Sequence, residues 1–318
     1  MFDGFAHVWT PLVEAQRVKS NPVQVGIAGE RLVLFRGAEG TIAALLDRCP
    51  HRRAALSLGT VGRDGCLECP FHGWRFDAAG ANRHVPLNPD AKRDLLGATP
   101  VPAKQVGDMV WIYTAPGIHA PYEPVAPDGL TAPGLARIYL ERTWRCHWTR
   151  AMENMLDSPH LPFVHRRTIG RILRRRMKPK SRMDISWEET TWGGRAKAAL
   201  DGVDGGGSLE FFRPNMMALN IPIPRRHLQI HALVTPIDAN LTRLTLAVSR
   251  DFLRSPIMDA LFARSSRRIA DEDQAVVESS QPREAPPPGH EQSVRTDRAT
   301  LAFRKYYYET LRPSRAGQ

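Results

Sequence analysis

Cys49-Pro50-His51 and, after seventeen intervening residues, Cys69-Pro70-Phe71-His72-Gly73-Trp74 are the segments whose reading decides the fold of the first part of the chain. Each offers one thiolate and one imidazole from a tight loop, so the two loops together supply two sulfurs and two nitrogens. Zinc accepts such a set and is one reading of it, although zinc fingers and ribbons usually group Cys with Cys and His with His. Here each loop is mixed. A two-iron cluster with both thiolates on one iron and both imidazoles on the other demands this pattern, and the neutral histidines raise its potential above that of an all-cysteine cluster. The flanks suit a small all-β host. From about Pro22 to Thr114 short β-like runs recur at Val23 to Ile27, Arg31 to Phe35, Ile42 to Leu46 and Met109 to Tyr113, with turn chemistry at Asp64-Gly65 and Asp77-Ala78-Ala79-Gly80.

At these residues the sequence resembles the Rieske family, whose paired Cys-x-His and Cys-x-x-His loops have this order and a closely similar spacing, with Gly-Trp following the second loop. The resemblance implies that Cys49, His51, Cys69 and His72 hold a [2Fe–2S] cluster and that Pro86 and Pro89 lie in a third loop shielding it.

Between Ala115 and Pro133 the prolines at 116, 121, 124, 127 and 133 and the glycines at 117 and 129 are too dense for a core element, so this stretch reads as a linker. Residues 1–115 are then an iron–sulfur domain, 116–134 a proline-rich linker and 135–318 a second domain. In the latter a strand-like Ile138 to Trp148 precedes β-patterned runs at Asp184 to Trp192, Arg195 to Leu200, Leu209 to Ile221, Leu228 to Thr235 and Thr242 to Arg250. A helical segment follows from about Ser255 to Ser280. The expected class is α+β, with one antiparallel sheet wrapped on helices.

Within the second domain, Glu153-Asn154-Met155-Leu156-Asp157-Ser158-Pro159-His160-Leu161-Pro162-Phe163-Val164-His165 presents an amide, a carboxylate and two imidazoles. Asp157 and His160 share one helix face, whereas residues five apart, as His160 and His165 are, diverge by about 140° on a regular helix. Pro159 and Pro162 forbid a regular helix here, since each removes a donor and clashes with the preceding turn. The break lets both imidazoles reach one ion. Two histidines and a carboxylate on one face of Fe(II) leave adjacent positions open for dioxygen, and the acidic run Asp271-Glu272-Asp273 in the late helix offers carboxylates. Asp157 has a separate use, because a metal-bound His normally donates its other N–H to a carboxylate that fixes its tautomer.

The same segment resembles the mononuclear-iron motif of the Rieske non-heme iron oxygenases, in which Asn, Asp, His and His recur as at Asn154, Asp157, His160 and His165. The resemblance implies that His160, His165 and Asp273 hold the iron, with Asp271 the rival carboxylate, and that Asn154 and Asp157 belong to the catalytic machinery. In the family the Asp links an iron-ligand His to a cluster-ligand His of the neighbouring subunit, here His160 and His72, which implies a head-to-tail homotrimer. The two residues between Asn154 and Asp157 are similar to the spacing in the branch of vanillate and dicamba O-demethylases and pheophorbide a oxygenase. That branch implies monooxygenation or oxidative O- or N-demethylation of an aromatic or polycyclic small molecule; ring cis-dihydroxylation is the alternative. Electrons would pass from the cluster through His72, Asp157 and His160 to the iron. Since nothing resembles a flavin or nicotinamide fingerprint or a plant-type ferredoxin, a separate ferredoxin or reductase must supply them. Asn215, Asn220 and His231 are the expected polar contacts of the substrate, with Met217 and Leu219 the apolar ones.

The net charge of +11 is partly local, with Arg171, Arg174, Arg175, Arg176, Lys178, Lys180 and Arg182 crowding one segment. Such a segment is ordinarily a solvated face; Arg174, Arg175 and Arg176, or Arg52 and Arg53, are otherwise expected to steer an acidic electron donor. A zinc-bearing nucleic-acid binder is disfavoured because the arginine run lacks interleaved aromatics on which bases stack. A Rieske electron carrier with an accessory domain is the other rival, and it would leave Asp273 idle. There is no run of 18 apolar residues and no basic flank leading to an apolar segment at the start, and the four cysteines form no disulfide framework. A cytoplasmic enzyme that meets neither membrane nor nucleic acid is expected.

Overall fold

A run of four apolar residues, Leu32-Val33-Leu34-Phe35, has no accessible surface at all. A strand so continuously apolar must be covered on both faces, and the computed structural model, which describes residues 1–312, shows how. The chain divides into two units, Met1–Pro124 and Val125–Gln318. In the first, β1 (Trp9–Glu14), β2 (Val23–Ile27), β3 (Glu30–Arg36) and β4 (Ile42–Leu46) are followed by the short β5 (Thr60–Val61), β6 (Leu67–Glu68), β7 (Arg75–Phe76) and β8 (Asn82–His84). Then come β9 (Pro100–Val101), β10 (Ala103–Val106) and β11 (Met109–Tyr113). They form three antiparallel sheets, ordered β1-β11-β10, β2-β3-β4-β9 and β5-β6-β7-β8.

Val33 and Phe35 of β3 pack with Leu45, Leu56, Leu67 and Phe76, and both Cys49 and Cys69 are buried in this same cluster. Burying a Phe or Leu side chain stabilises by about 1.5–3 kcal/mol, so the cysteine loops are rooted in a well-stabilised core. The short strands β5 to β10 and also β1 were not anticipated; β1 contains Pro11, which reads as a breaker. It pairs with β11 through a register shift between Pro11 and Val13, the irregularity at which a sheet tolerates proline.

The second unit opens with α1 (Asp128–Thr131) and β12 (Ala136–Trp144), then α2 (Trp148–Leu156), α3 (Leu161–Val164) and α4 (Arg171–Arg176). The strands β13 (Met183–Thr190), β14 (Gly193–Leu200), β15 (Val203–Asp204), β16 (Ser208–Phe212), β17 (Met216–Asn220), β18 (Leu228–Pro236) and β19 (Thr242–Arg250) follow, then α5 (Pro256–Glu278) and α6 (Arg298–Tyr306). The sheet runs β12-β19-β18-β17-β16-β14-β13, with β15 on β14, and every pairing is antiparallel. An N-terminal all-β domain and a second domain of antiparallel sheet with helices make the α+β class read from the sequence.

Four local differences have physical reasons. The strand expected over Ile138 to Trp148 ends at Trp144, because Trp148 opens α2. The run from Leu209 to Ile221 is two strands, since Arg213-Pro214-Asn215 turns between them and Pro214 has no donor for a ladder. Within the proline-rich stretch Asp128–Thr131 forms a helical turn whose Leu130 is buried, so part of it serves as core. The helix α6 was not expected; it docks through Phe303, which meets Trp148 edge-on. Among the described residues, no helix is long and apolar enough to cross a membrane.

Candidate functional site

The two cysteine loops are copies of one backbone device. In each, the Cys N–H donates to the carbonyl five residues on, Cys49 to Ala54 and Cys69 to Trp74, both at 2.8 Å. In each, the Cys carbonyl accepts from the residue four on, Arg53 at 2.9 Å and Gly73 at 3.0 Å. Those two residues have positive φ, 59° at Arg53 and 69° at Gly73. The thiols are buried and the imidazoles of His51 and His72 exposed, their rings 4.6 Å apart between centroids. Trp74 stacks on His51 at 4.7 Å, and the Pro86 ring lies close to where a Cβ on Gly73 would be.

Burial pushes the Cys49 thiol up to about 11, against backbone N–H groups that favour the thiolate; neighbouring Cys69 adds to the rise. Burial, then His72 and Arg52, holds His51 below the usual histidine range. Two adjacent buried sulfurs, of which Cys49 resists becoming an anion, beside two exposed imidazoles, of which His51 resists becoming a cation, suit a metal cluster, which supplies positive charge to the sulfurs and takes neutral nitrogen. The set fits a [2Fe–2S] group.

In the second unit α2 stops at Leu156, Asp157 turns to extended geometry as its C-cap, and the chain re-enters a single helical turn at Leu161 with Pro162 inside it. His160 and His165 thereby come to 5.2 Å between ring centroids. On α5 the buried residues Ser266, Ala270, Asp273 and Val277 form one stripe, and its Asp273, not the exposed Asp271, meets the imidazoles. Asp273 Oδ1 lies 3.1 Å from His165 Nε2 and 3.6 Å from His160 Nε2. The three ligand atoms lie within 4.8 Å of one another. Asp271 instead pairs with Arg142 at 2.9 Å.

Each imidazole is held from behind. His160 Nδ1 lies 3.1 Å and its backbone N–H 2.9 Å from Asp157 Oδ2; His165 Nδ1 lies 2.9 Å from Glu272 Oε2. A carboxylate only accepts, so both Nδ1 atoms carry the proton and both Nε2 atoms face Asp273. Burial opposes charge on His165, but Asp273 and Glu272 on either side outweigh it and raise its pKa. Asp273 Oδ1 is buried without a hydrogen bond of its own. The point between the two Nε2 atoms and this oxygen therefore favours positive charge, and the donor set of two nitrogens and a carboxylate fits Fe(II).

Beside this group lies a cavity of about 540 Å³, lined by Ser158 and Leu161 next to His160, by Leu173 and Arg176 of α4, and by Ala196, Ala198, Leu200, Leu209 and Leu219 of the sheet. Of the residues expected to touch substrate, Asn220 and Leu219 line it. Met217 is buried and is not among its walls. Asn215 is also elsewhere: it sits in the 213–215 turn, fully buried, and its amide donates to the Val234 carbonyl at 2.9 Å. His231 belongs to the other face of the sheet, where its Nε2 lies 3.2 Å from Ser249 Oγ beneath Gly129. Burial, then His227 and Arg137, brings its pKa down to about 3, so it is a neutral core residue. Strand alternation separates it from the cavity: Leu219 pairs with Ile230, its neighbour. Asn154, in the last turn of α2, has a buried side-chain amide nitrogen without a hydrogen-bond partner.

Comparison with known proteins identifies both domains. Residues 8–102 match the model of the Rieske [2Fe-2S] domain, and residues 144–312 match that of the vanillate O-demethylase oxygenase C-terminal domain. The chain belongs to the Rieske oxygenases. This Rieske oxygenase is 29% identical to the methylxanthine N3-demethylase NdmB of Pseudomonas putida over 327 residues, 95% of this chain and 88% of that one. Over 169 residues, 50% of this chain and 47% of the other, it is 30% identical to the dicamba O-demethylase oxygenase component of Stenotrophomonas maltophilia. The structure of dicamba monooxygenase bound to dicamba has the same fold, with a TM-score of 0.81 at 21% identity over 96% of this chain and 97% of that one. As a Rieske oxygenase the chain is an oxidoreductase that uses a [2Fe–2S] cluster and a non-heme iron, takes dioxygen and an organic substrate, and depends on a separate reductase or ferredoxin for electrons.

Glu272 and the α4 wall of the cavity were not read from the sequence. The signal for Glu272 was available in its position beside Asp273; the cavity walls depend on which strand faces which helix, and no local pattern carries that.

Proposed function

We propose that this oxygenase removes an O- or N-methyl group from a flat aromatic or polycyclic small molecule. The observation that carries the reading is the apolar cavity beside the His160, His165 and Asp273 group. Its volume is that of an ordinary small-molecule site, and the small Ala196 and Ala198 among leucines make a smooth wall suited to a planar ring. Ser158 and Asn220 provide polar contacts. The names of the relatives, a methylxanthine N3-demethylase and a dicamba O-demethylase, support the same chemistry. Overall, a methyl ether, dioxygen, two electrons and two protons give the alcohol or phenol, formaldehyde and water.

Cys49, His51, Cys69 and His72 would hold the cluster, and His160, His165 and Asp273 the single iron. When bound, these groups would supply stored electrons and dioxygen activation. The protein's own work is to hold His160 by Asp157, to exclude water with Leu161, Leu209 and Leu219, and to place the methyl group near Asp273. Asp157 uses only Oδ2 in its described contacts with His160. Its other oxygen and the exposed His72 of a second copy would make the subunit bridge of a head-to-tail trimer. The four free cysteines suit a reducing compartment, and the cytoplasm is the proposed location. The exposed Arg174, Arg175 and Arg176, or else Arg52 and Arg53, are the proposed contacts of an acidic electron donor.

The test is a panel of methoxyaromatic and N-methylated heteroaromatic compounds offered with a ferredoxin, its reductase and dioxygen. One formaldehyde per substrate consumed is expected; a cis-diol product without formaldehyde would contradict the reading.

A further inference from the structure

Most metal-bound histidines have a carboxylate or carbonyl behind them, and for His160 the sequence already pointed to Asp157. The structure shows that His165 has one too, from 107 residues away. Glu272 and Asp273 are consecutive on α5, and consecutive helical residues point about 100° apart. They meet the same imidazole from opposite ends, Asp273 Oδ1 at 3.1 Å from Nε2 and Glu272 Oε2 at 2.9 Å from Nδ1. The ring between them is 1% exposed.

Glu272 is itself fixed. Thr168 Oγ1 donates to its Oε2 at 2.6 Å, and Arg268, one turn earlier on α5, lies 3.5 Å from Oε1. Thr168 belongs to the turn that closes on His165: the backbone N–H groups of Thr168 and Gly170 donate to the His165 carbonyl at 2.9 and 3.0 Å. That turn leaves no room for a side chain at Gly170, where a Cβ would lie 1.8 Å from the Leu161 carbonyl oxygen. One carboxylate oxygen thus ties the imidazole and the loop carrying it to the helix that supplies Asp273.

We infer that Glu272 is a positioning residue of the mononuclear iron site: it holds His165 with its proton on Nδ1 and its bare Nε2 toward the metal. The inference rests on the assignment of His160, His165 and Asp273 as the iron ligands. Loss of such a partner typically weakens metal affinity about 10- to 100-fold. Glu272 neither lines the cavity nor belongs to the proposed ligand set, so the readout is metal binding rather than turnover.

The experiment uses the full chain with its cluster retained, depleted of mononuclear iron and titrated with Co(II), followed by the visible absorption of the bound ion. Glu272→Ala is expected to raise the Kd at least about 10-fold with the cluster absorption and its EPR signal unchanged. Glu272→Gln, whose carbonyl still accepts from Nδ1–H, is expected to recover part of that loss; Thr168→Val is expected to show a smaller loss. Parental affinity in Glu272→Ala, while Asp273→Ala binds no cobalt, would overturn the inference and leave the ligand assignment standing. Parental affinity in Asp273→Ala as well would overturn the ligand assignment itself.

Discussion

The N-terminal unit builds its cluster loops by repetition and the C-terminal unit builds its iron site by convergence. In the first, each loop contains its own hydrogen-bond frame within six residues, and the cysteines are anchored in the core that the sheets create anyway. In the second, the imidazoles come from a helix broken by prolines, the carboxylate from a helix more than a hundred residues later, and each imidazole takes its orientation from a further carboxylate. The first design tolerates change elsewhere, because each loop needs little but its own frame. The second depends on the sheet and α5 keeping their places, so distant substitutions reach it.

Asp157→Ala gives the largest contrast between the two regions. It removes the acceptor for His160 Nδ1 and for the His160 backbone N–H and should lower turnover by on the order of 100-fold. The absorption of the cluster should not change. Steady-state oxygen uptake with the electron donor measures the first and visible spectroscopy the second; intact turnover would refute the role given to Asp157.

The repeated loops are distinguished by a smaller effect. Arg53 and Gly73 hold the same left-handed position, but only Gly73 is free of a side chain there, and an added Cβ would sit 3.0 Å from the Pro86 ring. Gly73→Ala should destabilise the cluster unit by about 1–2 kcal/mol, whereas Arg53→Gly should stay within about 1 kcal/mol of the parent. Denaturant unfolding followed by cluster absorption compares them. Equal losses would mean that the loops are not equivalent.

The smallest effect concerns acid. Glu291 accepts from Arg150 and Arg304, and the Arg150 guanidinium first, with Arg304 behind it and against some burial, lowers its pKa from 4.5 to about 2. A carboxylate with a depressed folded pKa contributes stability above its unfolded value and loses it as the pH falls through the folded one. Between about pH 4.5 and 2 the parent should therefore lose more stability than Glu291→Gln, in thermal melts at matched ionic strength. The same Arg150 and Arg304 also clamp Glu153 of α2, so the effect belongs to the second unit alone.

How much of this was legible follows from the same contrast. The cysteine loops and the strands β2, β4, β11 and β19 could be read from local patterns, because turn residues and apolar runs carry their own boundaries. The histidine pair could be read too, since prolines at 159 and 162 leave few conformations. Asn215 and His231 lie away from the cavity, because their placement depends on the turn at Pro214 and on which sheet face meets α1. Glu272 was legible only as a neighbour of Asp273, since its partner His165 is set by tertiary packing.

The central claim is that one chain carries both a two-iron cluster and a single iron held by His160, His165 and Asp273. Iron analysis with EPR of the purified parent and of Asp273→Ala tests it most directly. The account predicts about three irons per chain with a Rieske signal in the parent, and about two with that signal unaltered in the variant. Two irons in both, or zinc in place of iron, would contradict it.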